Sequence, residues 1–355
     1  MINKLFHKVR RNLDKRKYEV DFKYSKSKNK TAAERNIVFC VPSVSYPVGG
    51  IIVTHNYSEY IELNKLGNFN SSILHPYNPA FNPKIFNSKV TYKRNNSFDP
   101  KTDFVVLPEL YAARHAPVLA KIGVPYAINV LNGYLMDFER AQFKRSYSQI
   151  DFAYKHASII CGISDDTIEN INFVFPEHEN KVIKSTYIID KAIFKSWDQK
   201  PNIISYMPRK LAKHTELMLF MINKKLPSGW ILKPIDGVSE DEVYKILTDT
   251  KIFLSFSELE GLAMPPVMAA LSGAHVIGYT GEGNKEYFNL SCFTEVNCGD
   301  IKKMISETME IVKLMDDNVY ENDLNAIKIL SDKFSKHNQF NFLNEFVERV
   351  GASFV

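Results

Sequence analysis

The sequence predicts an α/β protein of two Rossmann-like halves, and three observations carry that expectation. The first is length: 355 residues exceed what one hydrophobic core ordinarily organises, so two domains with a cleft between them are expected. The second is rhythm. From Asn36 onward short apolar runs alternate with longer amphipathic stretches, the pattern of βαβ units around a mainly parallel sheet. The third is an interruption: residues 188–201 break that rhythm with mixed polar and aromatic side chains, and a second alternating series follows.

In the first half, residues 36–41 read as a buried strand, 42–50 as a loop ending in Gly49-Gly50, and 51–66 as a helix stopped by Gly67. Further strands are expected at 71–74, 90–92, 103–107, 126–130, 158–161 and 181–184, with helices at 112–122, 138–155 and 165–173. In the second half, strands at 203–206, 230–233, 252–256 and 275–279 interleave with helices at 213–224, 239–248 and 266–271. A strand near 292–296 precedes helices at 300–315, 321–334 and 338–350. The expected organisation is a basic segment 1–33, a first domain 34–190, a second domain 191–335 and a final helical segment 336–355.

Composition narrows the function classes. A hydrophobic content of 45% with 12% aromatics describes a soluble globular protein that can bury a core. No apolar run approaches the roughly 20 residues of a membrane-spanning helix, and no secretory signal opens the chain, so a cytosolic protein is expected. Cys40, Cys161, Cys292 and Cys298 form no Cys-x-x-Cys pair and no zinc-ligand spacing; they read as buried thiols of a reducing compartment. No metal site is expected.

The net charge of +5 is concentrated at the front, where the first 30 residues hold 11 Lys and Arg against Asp14, Glu19 and Asp21. Ile2, Leu5, Phe6, Val9 and Leu13 recur there at helical spacing, as in basic amphipathic helices that lie on anionic membrane surfaces. The same residues fit a solvated tail or a helix docked on the protein itself. Nucleic acid is not an expected partner, because the basic stretch lacks interleaved stacking aromatics.

In open α/β sheets ligands bind beyond the carboxyl ends of the strands, so the residues after each expected strand carry the chemistry. After 252–256 the chain reads Glu260-Gly261-Leu262-Ala263-Met264-Pro265-Pro266. Proline suits the first turn of a helix, so a helix begins there, and its free N–H groups can receive an anion or sugar hydroxyls. Glu260 is placed to accept hydrogen bonds from the hydroxyls of a bound sugar. The neighbouring strand ends in Gly281-Glu282-Gly283-Asn284-Lys285-Glu286, a second glycine-bearing loop at the same site.

This run resembles the nucleotide-sugar glycosyltransferases of the GT-B fold, glycosyltransferase family 4 in particular. The resemblance rests on Glu260-Gly261-Leu262-Ala263-Met264-Pro265-Pro266, Ala269-Ala270-Leu271-Ser272-Gly273, Ala274-His275-Val276-Ile277 and Gly283-Asn284-Lys285-Glu286 in that order and spacing. One departure stands out: Met268 occupies the position of the family's second Glu, which resembles a clamp for the ribose hydroxyls. Either other groups, backbone or Glu282, hold the ribose, or donor handling has diverged.

The resemblance implies a fold, a reaction and a set of residues. The fold is GT-B, two Rossmann-like domains facing each other, with C-terminal helices crossing back to the first. The reaction is transfer of a sugar from a nucleoside diphosphate sugar to a glycan or lipid-linked glycan, with retention of configuration and without cofactor or metal. Surface polysaccharide or lipopolysaccharide synthesis at the inner face of the membrane would suit it. Glu260, Arg209 and Lys210 are the implied catalytic groups, the family's Arg matching Arg209 and its Lys matching either Lys210 or Lys213. The donor would lie against Gly50, Lys213, Gly261, Leu262, Ala263, Gly283, Asn284 and Glu286. Glu109, Asn132 and Gly133 are the acceptor-side candidates. His55 and His115 read as surface or packing histidines, and Ser164 as a helix cap. A nucleotide-sugar 2-epimerase of the same fold, or a catalytically silent partner protein, are the alternatives.

Overall fold

The computed structural model describes residues 23–25, 35–44, 48–82 and 89–354. The amphipathic segment expected from Ile2 to Leu13 lies outside them. The chain divides into two compact units: one holds the residues up to Thr186 and those from Gln339 onward, the other Tyr187–Asn338. No helix among the described residues is long and apolar enough to cross a membrane.

The first unit contains β1 (Lys23–Tyr24), β2 (Asn36–Cys40), α1 (Gly49–Asn64), β3 (Asn70–Leu74), β4 (Thr91–Lys93), β5 (Ser97–Phe98) and β6 (Asp103–Pro108). There follow α2 (Ala112–Lys121), β7 (Tyr126–Val130), α3 (Phe138–Phe143), α4 (Tyr147–His156), β8 (Ile159–Gly162), α5 (Asp165–Val174) and β9 (Val182–Lys184). Seven strands form one sheet in the order β4-β3-β2-β6-β7-β8-β9. All of its ladders are parallel. Every residue of β6 and β7 is buried, which explains why they are apolar apart from Asp103 and Asn129: helices cover both faces of a parallel sheet. The short β1 and β5 pair with each other.

Helix ends follow local chemistry. The single helix expected over 138–155 is two, because Lys144 adopts a left-handed conformation (φ 57°) and Ser146 opens α4 with a capping box to Gln149. Helix α1 ends on left-handed Lys65, short of the expected stop at Gly67. Ser164 caps α5, its Oγ accepting the N–H of Thr167 at 3.1 Å.

The second unit runs β10 (Ile203–Tyr206), α6 (Ala212–Ile222), β11 (Ile231–Pro234), α7 (Glu240–Asp249), β12 (Ile252–Glu260) and α8 (Met264–Leu271). It continues through β13 (His275–Glu282), α9 (Lys285–Phe288), β14 (Phe293–Glu295), α10 (Ile301–Asp316) and α11 (Leu324–Lys333). Its five strands are parallel in the order β11-β10-β12-β13-β14. Helix α11 starts later than expected because Asp323 caps it, its carboxylate accepting the N–H groups of Asn325 and Ala326 at 2.9 and 3.0 Å. The last helix, α12 (Lys336–Ala352), joins the first unit from Gln339 onward. There Phe342 meets Tyr57 with ring centroids 5.3 Å apart, and Phe346 meets Phe39 at 6.3 Å. Cys40, Cys161 and Cys292 are buried, whereas Cys298 is exposed, correcting the expectation for that thiol.

Strand β12 is the longest of its sheet and runs on through Glu260, where a loop was expected from 257. Its partner β13 stays beside it through a register shift between Ser257 and Glu260. Gly278 makes the close approach possible: its φ is 139°, and a Cβ there would lie 2.1 Å from the carbonyl oxygen of Ser255. Trp197 and Trp230 are the chain's two tryptophans, and both fall in the second unit, so their fluorescence reports its unfolding. Gly278→Ala should lower the stability of that unit by about 2–4 kcal/mol in a urea melt followed by tryptophan fluorescence. A midpoint equal to wild type would show that the ladder tolerates a side chain there.

Candidate active site

In the second unit the chain visits β10, then β11 at the sheet edge, and then returns to β12 on the other side of β10. The connections leaving β10 and β12 therefore diverge, and a crevice opens at their carboxyl ends. Tyr206 at the end of β10 pairs level with Leu254, so β12 projects well beyond it. The turn after β10, closed by Lys210 N–H to Met207 O at 3.1 Å, lies beside that projection.

Two of the three expected catalytic groups meet there. The Lys210 ammonium and the Glu260 carboxylate form an ion pair, with 36% and 25% of their side chains exposed. Buried Thr215 holds the backbone behind the lysine, its hydroxyl donating to Lys210 O at 2.9 Å. Leu211, the next residue, is left-handed (φ 38°) and caps α6 with no side-chain hydrogen bond. Arg209 and Lys213 are exposed, and neither has an ion-pair or hydrogen-bond partner among the described residues. The start of α8 likewise has no side-chain cap from Ala263. Three cations, Arg209, Lys210 and Lys213, thus follow the end of β10 beside Glu260, an arrangement suited to a polyanion.

The glycine-bearing loop serves the site differently from a direct ligand. A Cβ on Gly283 would lie 1.7 Å from Gly261 O, so Gly283 is where the two loops touch, and Gly261 and Gly283 are both buried. Asn284 is fully buried; its Oδ1 accepts the N–H of Ala263 at 2.7 Å. Tyr287 OH donates to Ala263 O at 3.2 Å. One residue at the start of α8 is thus held at both its polar backbone atoms from the loop below, with Leu262 half-buried next to it. Nothing in the local sequence marks Tyr287, which reads as one more apolar-face residue. Glu286 is turned aside, paired with Lys333 at 3.2 Å with 6% of its side chain exposed. Met268 is buried in α8.

The first unit has its own switch point, between β2 and β6. Gly50 in the first turn of α1 packs against Leu131, and a Cβ there would lie 2.9 Å from Leu131 Cδ1. Glu109, just past β6, accepts the Leu131 N–H at 3.3 Å. Asn132 accepts the N–H of Tyr134 at 2.9 Å, and buried Gly133 packs on Asn170. The structure therefore gathers Gly50, Glu109, Asn132 and Gly133 around one short stretch after β7. His55 and His115 are buried, and burial pushes both below the ordinary imidazole value, His115 to about 3.

Glu139 was not expected at this edge. It is 2% exposed and accepts the N–H groups of Ala113 and Arg114 at 2.5 and 3.3 Å, capping α2 from a different helix. A tertiary cap of this kind leaves no trace in local spacing. Burial pushes both Glu109 and Glu139 up to about 7, against the pull of the backbone N–H groups they face.

For Glu109 the folded value of about 7 lies above the ordinary 4.5, so between them the folded chain binds more protons than the unfolded one. Its contribution to stability is then present at low pH and is lost as pH rises through that window. Glu109→Gln should gain about 1–3 kcal/mol over wild type near pH 8 and about nothing near pH 4.5, in urea melts followed by circular dichroism. Equal pH slopes for the two proteins would contradict the raised carboxyl.

No protein-family profile matches the chain. Over 47 residues it is 43% identical to an alpha-1,6-glucosyltransferase of Actinobacillus pleuropneumoniae serotype 7, a match spanning 13% of the chain and 14% of that relative. Solved structures match far more of it. Sucrose-phosphate synthase from Thermosynechococcus elongatus superposes with a TM-score of 0.66 at 9% identity, over 90% of this chain and all of that one. HepE from Anabaena, in complex with UDP-glucose, gives 0.62 at 10% identity over 90% and 99%. The catalytic domain of starch synthase IV from Arabidopsis thaliana, bound to ADP and acarbose, gives 0.58 at 9% identity over 90% and 99%. These neighbours are GT-B glycosyltransferases, and the chain has the GT-B fold.

Proposed function

We propose that the chain is a glycosyltransferase that moves a sugar from a nucleoside diphosphate sugar to a hydroxyl of a glycan or lipid-linked glycan. The observation that carries this reading is the meeting of Lys210 with Glu260 beside Arg209, at the switch point of a GT-B sheet. The UDP-glucose in the HepE complex and the name of the Actinobacillus relative support a UDP-hexose, with UDP-glucose the first to test.

The chemistry follows from charge. As the bond between the anomeric carbon and the diphosphate breaks, negative charge grows on the leaving oxygen. Arg209 and Lys210 supply fixed positive charge against it. The planar Arg209 guanidinium suits a bidentate grip on phosphate, and the Lys210 ammonium adds a point charge. Glu260 accepts hydrogen bonds from hydroxyls of the donor sugar and orients it. Asn284 and Tyr287 keep the Gly261 to Ala263 backbone in place for the same ligand, and Lys213 lies in the first turn of α6 on the donor side. Glu109, Asn132 and Gly133 form the acceptor-side edge of the first unit, with Gly50, a donor-binding residue in this reading, packed against Leu131 beside them. Retention of configuration, independence of metal, and a role in surface polysaccharide assembly belong to this proposal through the family resemblance.

Glu260→Ala should lower kcat/KM for transfer from UDP-glucose by about a hundred- to a thousandfold, measured as UDP release, while the circular dichroism spectrum is unchanged. Near-full activity in that variant would remove Glu260 from the mechanism. In a thermal-shift panel of UDP-, GDP-, ADP- and dTDP-linked sugars, a UDP-sugar should raise the melting temperature most. No response to any of them would overturn the reading.

A further inference from the structure

We propose that the Lys210–Glu260 ion pair is a charge lock that the donor's diphosphate opens: Lys210 changes partner from carboxylate to phosphate, and Glu260 is thereby released to the sugar hydroxyls. The inference rests on the proposed function and adds to it an order of events within the site.

The geometry separates the two cations that follow β10. Arg209 is exposed and has no partner among the described residues, so an arriving anion meets a free guanidinium. Lys210 is engaged by Glu260. An arriving diphosphate therefore finds one cation available and the other held by the carboxylate that the donor sugar needs. Glu260 is fixed at the end of β12, where the Gly283 N–H donates to its carbonyl at 3.2 Å, so its backbone cannot retreat. The carbonyl of Lys210 is held by Thr215, so the exchange takes place in the side chains. Both side chains are partly exposed, which keeps the pair weak enough to be exchanged: such pairs contribute little, because water screens them. A diphosphate carries more negative charge than a carboxylate and also engages Arg209, so it wins Lys210 from Glu260.

The lock makes a prediction opposite in sign to that of a simple binding residue. Glu260→Gln keeps the side chain's shape, frees Lys210, and should bind UDP more tightly than wild type even though it transfers sugar poorly. The expected gain is about two- to fivefold in Kd by calorimetry, which corresponds to roughly 0.4–1 kcal/mol. Removing a negative charge also relieves plain repulsion, so two controls are needed. Glu258→Gln removes an equal charge two residues earlier on the same strand and leaves the lysine paired. Lys210→Gln, alone and combined with Glu260→Gln, completes a double-mutant cycle. With the lock, Glu260→Gln tightens UDP binding in the wild-type background by more than Glu258→Gln does, and in the Lys210→Gln background by no more than Glu258→Gln does. A gain of equal size in both backgrounds, or a loss of affinity in Glu260→Gln, overturns the lock and leaves the glycosyltransferase reading standing. Failure of UDP, GDP, ADP and dTDP alike to bind any of these proteins overturns both.

Discussion

A parallel strand can be re-entered only through a crossover, and in the second unit that constraint decides where chemistry can happen. After β11 has taken one side of β10, the chain returns on the other side to lay down β12. Two connections then leave neighbouring strand ends in opposite directions, and no backbone covers the gap between them. Arg209, Lys210 and Glu260 are in position because of that reversal. It also explains how residues fifty positions apart in sequence form an ion pair without any local motif joining them.

The reversal alone would leave the start of α8 loosely held, since Ala263 caps it with no side chain of its own. The long β12–β13 ladder supplies what is missing. Gly278 and Gly283 let the two strands and their loops approach to backbone contact, and Asn284 and Tyr287 then bind the N–H and the carbonyl of Ala263. Buried hydrogen bonds of this kind hold a loop in one geometry, because an unmade bond in a dry site costs more than a made one returns. Precision at the site is therefore set one layer below the residues that would meet a ligand.

Much of this was legible in the sequence because parallel sheets write themselves as unbroken apolar runs. The two series of alternating elements, the break near the middle of the chain and the glycine-rich loops after 252–256 and 275–279 all follow from local composition. What was hidden depends on contacts between distant segments. The strand character of Glu258 to Glu260 comes from pairing with β13, against a local sequence that reads as a loop. Lys144 interrupts a continuous helical pattern with a left-handed residue that no propensity marks. Glu139 caps a helix it does not belong to, and Asn284, a polar residue in a loop, proves to be buried and engaged with backbone. The pairing of Lys210, fifty residues upstream, with Glu260 was likewise not readable from spacing.

Met268 bears on how a donor would be held. On α8 the residues from Pro266 to Leu271 are all buried, so the helix presents an apolar body to its own sheet and offers polar atoms only at its start. A carboxylate at position 268 would have to find partners in that dry environment or carry the cost of desolvation, and methionine removes the requirement. The consequence for the proposed function is a site whose polar groups come from strand ends and the loops after them: Glu260 at the end of β12, left-handed Glu282 at the end of β13 with its Lys285 partner, and Arg209 and Lys210 after β10. Such a site depends on the loops keeping their shape, which is the work of the glycine contacts and of Asn284 and Tyr287. Loss of a polar residue from the helix and a firm hold on the loops are therefore two sides of one arrangement.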